Sequence, residues 1–531
     1  MRKRNIPLFI ALIMTVSAAA GCSSGKGTDS AGSAASAKPA VEDKYDKLPK
    51  EITIQYYENT PLPSEEGTWA DNRWTKWINE NSPVKVKWVP IPQAGGQAVR
   101  TQKINTMLAA GEAPDLIWDW GREYPASLIK QGAIQPVDEF VEKYSTAYKN
   151  YLAKYPGLKA GVTYDDGKMY NFTVNRQYNP SLDTGVYIRQ DWLNKLNLKM
   201  PTTLDELIAV GQAFVEQDPD GNGKKDTVAF AFDGTRQFTY FEHMFQAGQS
   251  YWYVEDGKPR YGPTLDRYKD SLETFKKIYD LGLVDKEFPT DKNFDRETQL
   301  LTSGKAGMAI GHWTWGKLLD LKKTVPTAEM VPLPMVSNKY GKNGYVRTPL
   351  DSTDIMVMLN KQAKNPKAAM EFIDWMLAKG WETMMFGIEG VHYKKENGVR
   401  VVIDQQKNAK EVYGSGYAIV KDYQTSVEEL AKPKNPDPVV QAFNEMLVGG
   451  NKVFMKEAFR NDFPIGPLDD DKDKTVAAFN AELAQIRLKA IISGDKYTPA
   501  MAMEDIKKKW AEAGGEKAEK VMADFLAKQK K

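Results

Sequence analysis

The stretch GEAPDLIWDW, residues 111–120, marks a change from helix to strand and decides the first part of the fold. Gly111 is suited to cap the C-terminus of a helix whose apolar face runs from Ile104 to Leu108. The apolar run that begins at Leu116 predicts a buried strand. The segment therefore predicts a helix that packs beside the strand it leads into.

The sequence upstream repeats this alternation. Residues 52–57 and 84–88 alternate apolar and polar side chains, which predicts two half-buried strands, and a helix is predicted between them over 69–81. Strand, helix, strand, helix and strand in this order predict a mainly parallel sheet with covering helices. A second α/β region begins after Tyr170, with a helix over 265–279, and the chain is mostly helical and charged from Thr475 onwards.

The composition excludes several classes of function. The 531 residues include 72 Lys and Arg, 70 Asp and Glu, three His and one Cys. One cysteine excludes a disulfide framework, a cysteine zinc site and an iron–sulfur cluster, and three histidines argue against a histidine metal centre. The balanced charge argues against a nucleic-acid partner. The 13 Trp and 25 Tyr residues instead suggest stacking surfaces.

The N-terminus predicts export and anchoring. Residues 1–21 carry a basic start and an apolar core, which is typical of a signal peptide, and residues 22–48 are predicted to be a lipidated N-terminus and a flexible Ser/Gly/Ala-rich tether. The sequence Ala-Ala-Gly-Cys at 19–22 resembles the lipobox of bacterial lipoproteins. That resemblance implies a lipid on Cys22 and a location on the extracellular face of the cell membrane. The alternative is an ordinary signal peptide with an incidental cysteine.

A calcium-loop pattern follows the predicted helix near residue 210. Asp218, Asp220, Asn222 and Asp226 place side-chain oxygens at positions 1, 3, 5 and 9, and Lys224 at position 7 would contribute its main-chain carbonyl. Position 12 is an alanine, so the loop is not an EF-hand. The loop predicts a structural Ca²⁺ site, and a Gly/Asn-rich surface turn is the alternative.

Aromatic residues form the second constellation of candidate site residues. Trp118 and Trp120 follow a predicted strand end, where ligands bind open α/β sheets, and Tyr57 ends the first strand. Trp252 lies in a Tyr-Trp-Tyr run, and the segment at 313–315 carries two further tryptophans, Trp313 and Trp315. Aromatic rings stack on the flat C–H faces of sugars. For each of these aromatics, packing in the core is the alternative.

Four motifs in order suggest a family. GEAPDL at 111–116, YIRQDWL at 187–193, SGKAGMA at 303–309 and GIEGVHY at 387–393 resemble signatures of the bacterial extracellular solute-binding proteins of family 1, the sugar receptors of ABC importers. The last motif is similar to the long lipoprotein subgroup that includes alginate-oligosaccharide binders. The resemblance covers roughly residues 50–531.

The resemblance implies an α/β fold of the periplasmic-binding-protein type, with two discontinuous lobes joined by hinge strands. The N-terminal lobe is expected over 49–174 and 348–415, and the C-terminal lobe over 175–347 and 416–531. The related receptors bind a structural calcium at the matching loop, and some carry an acid where Thr227 stands, so Thr227 is the sixth residue expected to bind the ion. The resemblance also implies hydrogen-bonding residues for the sugar rim, namely Arg176, Arg347, Asp351 and His392.

These observations predict a monomeric, lipid-anchored receptor that captures an oligosaccharide in an aromatic-lined cleft and delivers it to ABC permease subunits. No bond chemistry is expected, because the chain has no His-Glu-x-x-His or Walker motif and, from residue 49 onwards, no Gly-x-Ser-x-Gly elbow. Two alternatives remain: a surface-tethered polysaccharide hydrolase or lyase, and a receptor of the same fold that binds a peptide or serves a sensor kinase.

Overall fold

The computed structural model describes residues 43–529 except 59–61, 93–95, 176–184, 233–237, 239–240, 292–294, 311–314, 345–352, 423–436 and 464–465. Residues Leu48–Lys531 form one compact unit. The predicted signal peptide, Cys22 and all but the last residues of the predicted tether lie outside the described residues.

Two sheets organise this unit. The strands are β1 (Glu51–Glu58), β2 (Lys85–Pro92), β3 (Leu116–Trp120), β4 (Asn171–Asn175), β5 (Val186–Arg189), β6 (Val228–Phe230), β7 (Trp252–Glu255), β8 (Lys258–Tyr261), β9 (Ala306–Ile310), β10 (Met330–Pro332), β11 (Thr353–Leu359), β12 (Tyr393–Glu396) and β13 (Val399–Val402). One sheet has the order β2-β1-β3-β11-β4 and the other β10-β5-β9-β6, while β7-β8 and β12-β13 are two-stranded.

Helices cover these sheets. They are α1 (Arg73–Asn81), α2 (Gly96–Ala110), α3 (Glu123–Lys130), α4 (Asp138–Tyr144), α5 (Ala147–Lys154), α6 (Gly157–Val162), α7 (Gln190–Lys195), α8 (Leu204–Glu216), α9 (Tyr268–Asp280), α10 (Asp295–Thr302), α11 (Trp315–Thr324), α12 (Pro366–Trp375), α13 (Trp381–Phe386), α14 (Gln405–Glu411), α15 (Pro438–Phe454), α16 (Asp470–Ile492), α17 (Pro499–Glu512) and α18 (Gly515–Gln529). Among the described residues, none of them combines the length and apolar character needed to cross a membrane.

The first sheet is mainly parallel, as the alternation of strands and helices predicts. β1 pairs in parallel with β2 and β3. β11 runs antiparallel to both β3 and β4, so a strand from late in the sequence lies inside the sheet. The helix predicted over 69–81 begins only at Arg73, because the side chain of Asn72 accepts hydrogen bonds from the backbone N–H groups of Trp74 and Thr75 and caps it there.

Each sheet has its own hydrophobic cluster, which gives the two lobes of the predicted fold class. The first lobe is the five-stranded sheet with its cluster, and the second lobe is the four-stranded sheet with the cluster that also includes the buried faces of α15 to α18. Residues 417–420 lie beyond the boundary predicted at residue 415, and they pack in the cluster of the first lobe. The Tyr417 ring lies 4.5 Å from that of Tyr56 in β1 and meets the ring of Trp88 in β2 edge-on at 4.8 Å.

Candidate functional site

The carboxyl ends of β1 and β3 bring three predicted site aromatics together. The rings of Tyr57 and Trp120 stack with centroids 5.5 Å apart, and Trp118 meets both edge-on at 4.7 and 4.9 Å. Tyr57 and Trp118 are buried, and the Trp118 indole N–H donates to the carbonyl oxygen of Gln55. Trp120 alone of the three is half-buried. Of this group, Trp120 is therefore the ring that can offer a surface to a ligand.

A buried arginine lies on this aromatic cluster. The guanidinium carbon of Arg100, from α2, is 4.9 Å from the ring centroid of Tyr57 and 5.2 Å from that of Trp120. Arg100 is only 7% exposed, and its Nη2 atom is 3.9 Å from a carboxylate oxygen of Asp119, which is fully buried. A cation over aromatic rings is attracted by their quadrupoles, more strongly when it is desolvated. Arg100 therefore holds these rings in place and adds a positive charge to the strand ends.

The polar atoms of the cluster face one another. Within the part of the chain that the structure describes, the Tyr57 hydroxyl, the Arg100 Nε and one carboxylate oxygen of Asp119 make no hydrogen bond of regular geometry, but the Tyr57 hydroxyl interacts with the side chains of Asp119, Arg100 and Gln55. Burial raises the pKa of the Asp119 carboxyl, and burial also raises the pKa of the Tyr57 hydroxyl.

The structure uses two other predicted ligand residues for packing. Trp252 is buried in the second lobe, where its ring lies 5.2 Å from that of Tyr261 and 5.8 Å from that of Trp510. His392 is buried as well, with Nε2 3.1 Å from a carboxylate oxygen of Glu411. Neither side chain has surface left for a ligand in this structure, because Tyr261 and Trp510 pack against Trp252, and Glu411 and Trp74 pack against His392.

The remaining predicted ligand residues have no described side chain. Arg176, Trp313, Arg347 and Asp351 lie outside the described residues, and Trp315 is described only as the first residue of α11. The structure does show where the chain leads to them, because β4 ends at Asn175 and β9 ends at Ile310.

Sequence reasoning missed Arg100 and Asp119. Asp119 stands between the two tryptophans that were selected, and a charged residue inside a buried strand is a signal that could have been used. Arg100 offered no comparable signal, since it is one of many basic residues and its position depends on how α2 packs.

A second aromatic cluster lies in the second lobe. The ring of His243 stacks on Phe459 with centroids 3.9 Å apart and planes 1° apart, and Tyr251 meets both rings edge-on. The Asn343 side chain bridges this cluster, donating to the carbonyl oxygen of His243 and accepting from the backbone N–H of Arg460. These contacts fix the chain just before residues 347 and 348, where the chain is expected to return from the C-terminal lobe to the N-terminal lobe.

The predicted calcium loop is folded around Asp218. Its carboxylate accepts hydrogen bonds from the backbone N–H groups of residues 221, 222 and 223 at 3.0–3.1 Å. The Asn222 side-chain amide donates to Asp220 at 2.7 Å and to Asp226 at 3.0 Å, and so lies between two carboxylates. The hydrogen bonds of the loop thus bring together four of the six predicted ligands, namely Asp218, Asp220, Asn222 and Asp226. Lys224 donates its backbone N–H to the side-chain oxygen of Asn222.

Two features of the loop bear on a metal. The Thr227 hydroxyl is buried and donates to the carbonyl oxygen of Phe214, so it belongs to the core beneath the loop, and Asp226 pairs with Lys305 at 2.5 Å. Hydrogen bonds from the backbone lower the pKa of Asp218, whereas burial raises that of Asp220. Within the described ranges, no three His, Cys, Asp or Glu side chains are grouped to hold a metal ion.

The chain is similar to known sugar-binding proteins. The family model described as bacterial extracellular solute-binding protein matches residues 63–383. The polygalacturonan/rhamnogalacturonan-binding protein YtcQ of Bacillus subtilis is 28% identical over 475 residues, which are 84% of this chain and 85% of YtcQ. The fructooligosaccharide ABC transporter substrate-binding protein FusA of Streptococcus pneumoniae is 32% identical over 213 residues, 38% of this chain and 40% of FusA.

Solved structures show the same fold. FusA in complex with kestose, and a FusA EF-hand mutant in complex with fructo-nystose, each superpose with a TM-score of 0.67 at 20% identity and cover 90% of this chain and 99% of theirs. The alginate-binding protein AlgQ2 without calcium ion has a TM-score of 0.63 at 20% identity, covering 90% of this chain and 98% of its own. The match of the family model to more than half of the sequence and the shared fold lead to one conclusion. The chain belongs to the bacterial extracellular solute-binding protein family.

Proposed function

We propose that this protein is a monomeric receptor that captures an oligosaccharide between its two lobes and delivers it to the permease subunits of an ABC importer. The observation that carries the proposal is the half-buried ring of Trp120 at the carboxyl edge of the first sheet, held from behind by Tyr57 and Arg100. A rigid aromatic face beside hydrogen-bonding groups suits the C–H face and hydroxyl rim of a sugar. Binding is reversible, and no bond of the sugar is broken.

The relatives define the ligands to try first. YtcQ is named for polygalacturonan and rhamnogalacturonan, which carry uronic acids, and FusA is named for neutral fructooligosaccharides. Both are chains of several sugar units, which supports an oligosaccharide as the ligand of this protein.

Calorimetric titration of the full-length protein with neutral and uronic-acid oligosaccharides tests the proposal. We expect one class to bind and to remain intact when the mixture is separated by chromatography afterwards. Trp120→Ala should weaken binding by about two- to tenfold, the size of one aromatic stacking contact. Trp77→Ala is the matched control, because Trp77 is a half-buried tryptophan of the same lobe that packs against Trp375. It should leave the affinity unchanged.

Two results would overturn the receptor proposal. Shortened or unsaturated sugar products would show a hydrolase or a lyase. Binding of peptides, with no binding of any oligosaccharide, would show a receptor for a different ligand.

The loop at 218–226 is proposed to bind a structural Ca²⁺ ion through Asp218, Asp220, Asn222, Asp226 and the carbonyl of Lys224. The donor chemistry fits, since all of these groups offer oxygen ligands. The carboxylates of Asp220 and Asp226 lie on either side of the Asn222 amide nitrogen, and a cation between them would be favourable. The printed description of a FusA variant as an EF-hand mutant supports calcium binding in a relative. Calcium should raise the melting temperature, EGTA should reverse the rise, and Asp218→Asn should abolish it. A melting temperature that does not respond to calcium would refute the proposal.

Attachment to the membrane is proposed to occur through a lipid on Cys22, after removal of residues 1–21. The support is the basic and apolar start of the chain and the Ala-Ala-Gly-Cys sequence. Cells fed with labelled palmitate should incorporate the label into the wild-type protein but not into Cys22→Ser, which should appear in the medium. Label that persists in Cys22→Ser would contradict the proposal.

A further inference from the structure

Two polar contacts join the lobes beside the half-buried ring of Trp120. Arg122, two residues after Trp120, stands at the start of α3, and its Nη1 atom donates to the carbonyl oxygen of Gly466 at 3.5 Å. Lys130, the last residue of α3, pairs with Asp470, the first residue of α16, at 2.7 Å. Both ends of one helix of the first lobe therefore meet one short segment of the second lobe.

The two sides of this contact are anchored in different lobes. Leu128 of α3 packs in the hydrophobic cluster of the first lobe, and Phe479 of α16 packs in that of the second lobe. Arg122 also donates to the carbonyl oxygen of Thr163 at 2.8 Å, which fixes its guanidinium against the first lobe. A change in the distance between the lobes therefore makes or breaks both contacts.

The pair of Lys130 and Asp470 is weak enough to open. Their side chains are 51% and 52% exposed, and exposed ion pairs contribute little to stability because water competes for both charges. The hydrogen bond from Lys130 lowers the pKa of the Asp470 carboxyl, so the pair stays charged at neutral pH. An exposed pair that stays charged suits an interaction that forms and separates repeatedly.

We propose that Arg122 and Lys130 of α3, together with residues 466–470, form a clasp that holds the two lobes closed over a bound ligand. This inference rests on the proposed function and adds a closing device to it. A ligand bound between the lobes needs them closed, so an interaction that is made only in the closed arrangement raises the apparent affinity for the ligand. At about 1.5 Å per residue, the eight residues of α3 place Lys130 about 12 Å from Arg122 along the helix, so its pair strengthens binding without touching the ligand.

Salt separates the clasp from contacts with the ligand. Mobile ions screen exposed charges, and the Debye length falls from about 30 Å at 0.01 M salt to about 3 Å at 1 M. The part of the affinity that depends on the clasp should therefore decrease as the salt concentration increases, even for a neutral sugar. Removing one charge of the pair should remove the same part of the salt dependence.

Calorimetric titration of the full-length protein at about 0.02 M and about 0.5 M NaCl tests the clasp, with a panel of oligosaccharides that includes kestose and an α-1,4-linked galacturonate trimer. For the probe that binds most tightly, Lys130→Gln and Asp470→Asn should each weaken binding about two- to fivefold at low salt and hardly at all at high salt. The double variant should bind no more weakly than either single variant, because all three lose the same pair. Arg122 stays unchanged in every variant, because its place beside Trp120 would mix a lost ligand contact with lost closure.

Matched controls keep folding apart from closure. Lys50 and Glu371 form a surface pair of the same length, 2.7 Å, within the first lobe, so Lys50→Gln and Glu371→Gln should leave the affinity and its salt dependence as in wild type. Lys130→Gln binding as tightly as wild type at low salt, or a weakening that persists equally at high salt, would overturn this inference and leave the receptor function standing. No binding of any oligosaccharide by the wild type would overturn the receptor function and this inference with it.

Discussion

A buried ion pair ties α16 to the rest of the second lobe, and breaking it should be costly. The fully buried Glu242 accepts hydrogen bonds from Arg487 of α16 at 2.8 Å, from the Tyr268 hydroxyl at 2.7 Å and from the backbone N–H of Gln249 at 3.0 Å. Glu242→Ala leaves the buried guanidinium without its carboxylate, and the expected loss of unfolding free energy is about 3–5 kcal/mol. Arg487→Met should cost less, because the carboxylate keeps its two other donors.

The double variant Glu242→Leu with Arg487→Met removes both charges and should recover part of this loss, because no buried charge is left without its partner, although the Tyr268 hydroxyl and the Gln249 N–H lose their acceptor. Urea denaturation, followed by tryptophan fluorescence, measures the unfolding free energies of the single and double variants. Glu273→Ala is the control, since its pair with Lys269 at 3.3 Å is exposed and should contribute about 0.5 kcal/mol or less. The reasoning is refuted if Glu242→Ala costs no more than this control, or if the double variant is no more stable than Glu242→Ala.

Three further predictions concern other parts of the fold. Burial raises the pKa of Asp119, so wild type loses stability as the pH rises from the ordinary aspartate pKa of about 4 through the raised pKa of this carboxyl. Thermal melts should show Asp119→Asn gaining on wild type as the pH rises above about 4, and a pH-independent difference would contradict this. In Gly307→Ala the new Cβ would lie 2.3 Å from a ring carbon of Phe214, which should lower the unfolding free energy by roughly 1–3 kcal/mol, whereas Gly316→Ala meets no neighbouring atom and should cost nothing measurable. Asp374 accepts hydrogen bonds from three backbone N–H groups at the start of α5, so Asp374→Ala should cost about 1–2 kcal/mol in urea denaturation, and a cost near zero would show that solvent replaces this cap.

Local patterns predicted a large part of the fold. The alternation of residues 52–57 and 84–88 corresponds to β1 and β2, and the run from Leu116 corresponds to β3. Such patterns are readable because a strand that buries one face repeats every two residues. The position of β11 between β3 and β4 was not predictable in this way, because its pairing with strands more than 170 residues earlier depends on the whole chain.

The candidate site was predicted only in part. The predicted strand ends indicated Tyr57, Trp118 and Trp120, and the structure brings these three rings together. Which of the three stays half-exposed depends on tertiary packing and was not predictable. Arg100 joins them from a separate helix. Trp252, like Trp120, was selected because it lies in a short segment with other aromatic residues. In the structure it is buried against Trp510, which lies more than 250 residues away in sequence.

The sequence by itself determined the solute-binding family, the α/β class and the oxygen spacing of the loop at 218–226, because each is written in residues that are close together along the chain. Tertiary structure alone decided which aromatic ring remains half-exposed, that His392 is paired with Glu411, and that Arg100 meets Asp119 at the edge of the first sheet. The physical reason is that burial and pairing arise between segments that are distant in sequence. No local pattern encodes which partner covers a side chain.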